Sequence, residues 1–222
     1  MKQFRYILSF AIILAFATAC QKEHFTDGGV RTGKLNMNVY DFLKSRPFEF
    51  DTIVWILDKT GLADAVKQNN VTFFAPRDLS VVNYLKRIGG AKLDTVNVDT
   101  LRKAMSKYIF PGRKVWRDSI PLEKSPEGGM LITSLNGYQM YLDTWRDAYN
   151  GIPNAGPIFI RIWDPHGFTA NPIRRFDPIS KWPELQNKYN PWVNSGIITS
   201  NLEATNGVVH AVAGTHTFNF PY

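Results

Sequence analysis

Cysteine occurs once in the 222 residues, at Cys20, which excludes an internal disulfide framework and any metal site built on several thiolates. No glycine-rich phosphate loop or nucleophile elbow is present, so nucleotide hydrolysis by a P-loop and the α/β-hydrolase chemistry have no carrier here. No apolar run reaches the roughly 20 residues that span a bilayer comfortably, which argues against a multi-spanning membrane protein. Charged residues are 20% and hydrophobic residues 44% of the chain, ordinary globular values that exclude wholesale disorder. The length suits one domain or two small ones.

What is present begins with an export pattern. Lys2 and Arg5 precede an almost wholly apolar stretch over residues 6–19, the n-region and h-region of a signal peptide. The stretch ends in Ala17-Thr18-Ala19-Cys20, which resembles a bacterial lipobox with Ala17 at the position usually held by leucine. The resemblance implies cleavage before Cys20, with diacylglycerol on its sulfur and a further palmitate-like chain on its amine. Several chains suffice for stable attachment, because each buried CH₂ contributes about 0.8 kcal/mol and one chain alone holds only marginally. Loss of residues 1–19 leaves 24 basic against 19 acidic side chains, too small an excess to demand nucleic acid. Gln21-Lys22-Glu23 looks like the short charged signal that sends some Gram-negative lipoproteins to the outer face of the outer membrane. The expected organisation is a signal peptide over residues 1–19, lipidated Cys20 with a polar, glycine-rich tether over 20–34, and a folded domain over 35–222.

Helical spacing dominates the first half of that domain. Asn36 or Asn38 caps a helix carrying Val39, Tyr40, Phe42 and Leu43, which Pro47 is expected to stop. A second helix is expected from Asp51 to a glycine cap at Gly61, and Leu62 to Val66 give a short third turn. Val71-Thr72-Phe73-Phe74-Ala75 reads as a strand ended by Pro76. Two further helices follow, one opened by Asp78 or Ser80 and ended at Gly89-Gly90, the other opened by Asp99 or Thr100 and ended at Pro111-Gly112. Strands are expected at 113–122, 129–134, 137–143, 157–163, 196–204 and 207–220, with Asn136-Gly137 and Asn206-Gly207 as turns. Helices first and antiparallel strands second imply an α+β fold.

Three stretches carry a resemblance to the fasciclin-like domain family. Phe50 to Val66 leads into Val71-Thr72-Phe73-Phe74-Ala75-Pro76-Arg77-Asp78, similar to the family's first block. Leu101 to Gly112 is similar to its helix and proline-glycine turn, with Tyr108 present and Ile109 where the family usually has histidine. Asn206-Gly207-Val208-Val209-His210-Ala211-Val212 is similar to its closing block. The resemblance implies a β-sandwich or wedge wrapped by N-terminal helices. It assigns structural roles to Thr72, Phe74, Ala75, Pro76, Tyr108, Asn206, Gly207 and His210. Physically, Asn206-Gly207 accepts the positive φ values of a tight turn, and His210 among valines reads as a neutral, backbone-bonded core histidine.

Residues 144–194 exceed what that compact pattern needs and are dense in aromatics and prolines, which implies an inserted, aromatic-rich lobe. Ring faces beside polar groups can stack on sugars, so Trp145, Trp163, Trp182 and Trp192 with Arg161, Asp164, Arg174 and Arg175 form the candidate ligand-binding constellation. The same residue mixture suits a protein-binding surface or a small internal core. No spacing singles out a catalytic carboxylate pair among Asp164, Asp177 and Glu184, and Asp164 with His166 gives two metal ligands without a third. The expected protein is a non-enzymatic, lipid-anchored binding or adhesion protein of the outer membrane, without cofactor or metal. Its expected partners are the membrane and either polysaccharide or an envelope protein, such as an outer-membrane glycan-import complex, and not nucleic acid. An enzyme acting on envelope carbohydrate and a structural subunit of an envelope complex are the alternatives.

Overall fold

The computed structural model describes residues 33–122, 128–164 and 193–220. Residues 1–32, Cys20 among them, and the larger part of the aromatic stretch lie outside them.

Helix α1 (Val39–Lys44) starts at Asn38, whose side chain accepts the Asp41 amide. Pro47 initiates the next helix where it was expected only to terminate the previous one: α2 spans Pro47–Thr60 with the proline in its first turn. The reason is that a proline's missing N–H costs nothing at a helix start, while its fixed φ favours the helical conformation. Gly61 caps α2 in the left-handed conformation at φ 70°. Helix α3 (Ala63–Lys67), α4 (Asp78–Arg87) and α5 (Val98–Ser106) complete the set. Asn97 caps α5 through bonds from Asp99 and Thr100, so the cap lies just before the two residues expected to provide it. Helix α2 packs against α1, α4 and α5.

The strands are β1 (Gly33–Lys34), β2 (Val71–Ala75), β3 (Ile109–Phe110), β4 (Met130–Thr133), β5 (Gln139–Arg146), β6 (Ile158–Asp164), β7 (Val193–Glu203) and β8 (Gly207–Val212). They form one eight-stranded sheet in the order β3-β2-β8-β7-β6-β5-β4, with β1 added to β7. The sheet nearly closes, since the Leu135 amide just after β4 donates to the Ile109 carbonyl of β3 at 2.8 Å. Strand β7 turns the corner: its first residues pair with β6, its later ones with β8, and two register shifts lie between Ile197 and Leu202. Asn201 sits in that bulged stretch at φ 59°.

Residues 113–122 do not form a strand. They hold a 3-10 turn at Arg117–Ser119 and one bridge from Leu122 to Thr144. Side chains satisfy this backbone in place of a ladder: Thr72 Oγ1 donates to the Arg113 carbonyl and accepts from the Val115 amide, both at 2.8 Å, and Asn201 Oδ1 accepts from the Arg117 amide at 2.8 Å. The last strand also stops early, at Val212. Beyond it the chain lays His216, Phe218 and Phe220 against Tyr108, with Phe218 also touching Tyr84.

Strands β2 and β8 are buried along their whole length, so Phe73 and Phe74 are both interior although they point to opposite faces. The main core runs from Val39 in α1 through the sheet to Phe220, and Tyr141 and Trp163 form a second, small cluster with Leu131.

Asn206-Gly207 departs from the turn chemistry expected of it, because neither residue adopts a positive φ. Gly207 is required for a different reason: a Cβ there would meet the Val71 carbonyl of β2, its partner in the parallel β2-β8 ladder. Asn206, buried, accepts the Val39 amide at 2.9 Å and donates to the Val66 and Gln68 carbonyls at 2.9 and 3.0 Å. One side chain thereby ties together the start of α1, the end of α3 and the β7-β8 connection.

Candidate functional site

Alternation along β5 and β6 sends Met140, Leu142, Ile160 and Ile162 to the main core and leaves Tyr141, Asp143, Trp145, Phe159, Arg161 and Trp163 on the other face. The register sets these six residues opposite each other as Tyr141-Trp163, Asp143-Arg161 and Trp145-Phe159. They make three cross-strand pairs with an ion pair in the middle. Asp143, fully buried, accepts from Arg161 Nε at 2.9 Å and Nη2 at 3.1 Å, and from Trp163 Nε1 at 3.1 Å. The Arg161 guanidinium lies 5.3 Å from the Trp163 ring centre, so cation-π attraction adds to the bidentate bond. Tyr141 donates its hydroxyl proton to the Gly128 carbonyl.

The face is open at one end only. Tyr141 and Asp143 are fully buried and Trp163 is 8% exposed, whereas Trp145 and Phe159 are half-buried and stack at 5.0 Å with planes 28° apart. A stacked pair of this kind can present ring surface to a flat apolar ligand. Removing Asp143 should take the bidentate partner from the half-buried Arg161 and the acceptor from Trp163 Nε1. Asp143→Ala is expected to lose about 3 kcal/mol, as when one partner of a buried pair is deleted, read as a lower urea midpoint with unchanged slope.

Asp164 lies on the core side of β6, buried, with Lys107 Nζ at 2.7 Å. That lysine is itself nearly buried and 4.7 Å from the Tyr138 ring centre. The carboxylate is therefore held in a salt bridge between α5 and the sheet and points away from Trp145. Of the sequence-derived constellation the structure brings Trp145, Arg161 and Trp163 onto one face, with Asp164 behind it. Trp182, Trp192, Arg174, Arg175, Asp177, Glu184 and His166 lie outside the described residues. Asp143 and Lys107 were not singled out by the sequence reading. The strand parity Tyr141, Asp143, Trp145 against Phe159, Arg161, Trp163 was the signal for the first, but nothing local pairs Lys107 with a residue 57 positions away.

Two histidines are interior. His210 Nε2 donates to the Val115 carbonyl at 2.9 Å and Nδ1 accepts the Asn201 amide at 3.3 Å, while the ring stacks 4.8 Å from Phe74. The ring thus fastens the β7 bulge, and burial lowers its pKa from 6.5 to about 4. Tyr108 hydroxyl accepts the Asn219 amide at 3.0 Å and so gives its proton to His216 Nε2, 2.6 Å away. Burial lowers the pKa of His216 to about 3 and raises that of Tyr108 well above the usual tyrosine value. With both rings neutral and bonded, neither serves as a base toward solvent.

A cavity of about 70 Å³ opens between the α1-α2 junction and the β7 bulge, lined among others by Arg46, Glu49, Thr199 and Leu202. It is far below the roughly 300–1,000 Å³ of small-molecule pockets. Among the described residues no three His, Cys, Asp or Glu side chains gather to hold a metal, and no helix is long and apolar enough to cross a membrane.

No protein-family model matches the chain, and no curated protein matches it. Among solved structures the chain is similar to a FAS1 domain pair from the insect cell adhesion molecule fasciclin I, at 14% identity and a TM-score of 0.50. The match covers 79% of this chain and 49% of that one, so the chain spans about half the length of the domain pair. At this identity the likeness speaks of architecture alone: with its mixed helices and strands and nearly closed sheet, the chain has a fasciclin-like fold.

Proposed function

We propose that the protein is a lipid-anchored binding or adhesion protein of the bacterial envelope, held at the outer membrane by acylated Cys20. The fold it shares with a domain pair of an insect cell adhesion molecule supports a binding role, and the lipobox-like Ala17-Thr18-Ala19-Cys20 after an apolar run supports the anchor. Fold likeness alone does not choose a ligand. The observation that carries a ligand class is the half-exposed Trp145-Phe159 stack: the apolar face of a pyranose covers such rings while its hydroxyls bond polar groups at their edge. The ligand is accordingly polysaccharide.

Glycan-array binding by the mature protein tests this reading. Trp145→Ala and Phe159→Ala should each weaken binding at least about tenfold, the loss of one stacked ring at roughly 1.4 kcal/mol or more. Their melting temperatures should fall by only a few degrees. Arrays that stay blank at saturating protein, or variants that bind as well as the parent, would remove polysaccharide as the ligand.

A further inference from the structure

The register of β1 shows where the tether leaves the domain. Gly33 and Lys34 pair in parallel with Leu202 and Glu203, while Leu202 and Glu203 also pair with Val209 and Val208 of β8. The β8 side of β7 is therefore taken, and β1 occupies the side that β6 occupies earlier along the same strand. Because β1 runs parallel to β7, its amino end faces the start of β6, and the start of β6 is the turn end of the β5-β6 hairpin. Cys20 lies 13 positions before Gly33, so even fully extended the tether reaches no more than about 45 Å.

The tip of that hairpin is a tight turn that presents two apolar side chains. Asn150 and Gly151 have φ of 50° and 77°, and Tyr149 and Ile152 exchange both backbone hydrogen bonds, at 3.1 and 2.9 Å. This is a two-residue turn of the primed type that hairpins favour. It sets Tyr149 and Ile152 side by side, 60% and 61% exposed. An amphipathic tyrosine beside an aliphatic side chain, on the hairpin whose turn end adjoins the start of the tether, matches the chemistry of the lipid headgroup-acyl boundary.

We infer that the β5-β6 hairpin tip is a second membrane contact, with Tyr149 and Ile152 dipping into the lipid interface and orienting the domain on its anchor. This rests on the lipid-anchor reading of Cys20. The contact supplements the acyl chains and fixes which side of the domain faces outward.

The test uses the acylated protein in vesicles of phosphatidylethanolamine and phosphatidylglycerol, 3:1, with an environment-sensitive fluorophore on Tyr149→Cys, Ile152→Cys or, as control, Asp94→Cys in the exposed 3-10 turn Leu93–Thr95. A parallel set carries Cys20→Ser and an N-terminal hexahistidine bound to nickel-chelating lipid, which supplies the tether without acylation. Iodide quenching at 149 and 152 should fall about fivefold on vesicles in both sets, with quenching by spin-labelled lipid appearing there and not at 94, as for a side chain 5–10 Å inside the boundary. Labels at 149 and 152 that stay as accessible as the one at 94 overturn the inference. Equal shielding without lipid overturns it too and points to a second copy of the chain. Flotation of the acylated protein reads the anchor separately: if only the nickel-held set is shielded, the hairpin contact stands and the acylation reading fails.

Discussion

Asn206→Ala is expected to cost about 2–4 kcal/mol, a large share of a domain's stability, because it strips the partners from two buried backbone groups at about 1–2 kcal/mol each. The Val39 amide and the Val66 and Gln68 carbonyls all bond this one side chain, and alanine leaves the first two dry and unpaired, while the carbonyl of the exposed Gln68 can turn to water. Asn206→Asp discriminates among them, since a carboxylate still accepts from Val39 but cannot donate to the two carbonyls. It should recover only part of the loss. Urea unfolding followed by far-ultraviolet circular dichroism measures both. A loss below about 1 kcal/mol for the alanine variant would mean that water replaces the side chain, and that the clamp is not what holds α1 and α3 to the sheet. Gly207→Ala should also destabilise, by steric contact with the Val71 carbonyl and not by turn strain, so Gly207→Asn, which relieves positive-φ strain elsewhere, should give no rescue.

Acid should be the second large perturbation. His210 and His216 have folded pKa values of about 4 and about 3 against an ordinary 6.5, with burial the leading cause in each. A histidine whose folded pKa is depressed contributes stability that is fully present above pH 6.5, where both states are neutral. That contribution is lost as the pH falls, because the unfolded chain takes up protons the fold refuses. Between pH 7.5 and pH 5 the two rings together should remove about 4 kcal/mol, at 1.36 kcal/mol per pH unit below 6.5 for each group. The decline from His210 levels off near pH 4 and that from His216 near pH 3. Asp78, whose pKa burial raises, works the other way, favouring the fold as it protonates. His216→Gln keeps an acceptor for the Tyr108 hydroxyl and cannot titrate, so it should halve the slope of unfolding free energy against pH between 6 and 5. A parent slope near zero there would show that the rings take up protons within the fold.

Local chemistry was legible in the chain. Asn38, Gly61 and the run Val71 to Ala75 declare a cap, a stop and a strand through near-neighbour effects: a side-chain oxygen within reach of an amide three residues on, a glycine free to turn left-handed, β-branched and aromatic residues in sequence. Misreadings occurred where two local signals were both admissible. Pro47 ends one helix and opens another with the same ring, and which effect prevails depends on Phe50, Ile53 and Leu57 having a core to enter. The stretch 113–122 has strand-like residues, but Thr72 and Asn201 take its backbone bonds first.

The candidate face was legible by half. Alternation along residues 139–146 and 158–164 already divides the side chains into two sets, so the company that Trp145 keeps with Phe159 and Arg161 follows from a period of two and a register. Which rings stay open to solvent does not follow. Trp163 and Trp145 are equivalent as residues, yet one is bonded to a buried carboxylate and the other lies toward the open hairpin end.

By itself, then, the sequence determined the order of the main helices and strands and several of their ends, since these depend on dihedral preferences and contacts within a few residues, but it read Gly33–Lys34 as tether and Ile109–Phe110 as helix where the structure has β1 and β3. Only the tertiary structure decided that β2 lies parallel to β8 across more than 130 residues, that Asn206 is a clamp and not a turn residue, and that Lys107 meets Asp164. Those outcomes come from packing the whole core at once, where the free energy of a contact depends on every other segment already in place and no short stretch of chain carries it.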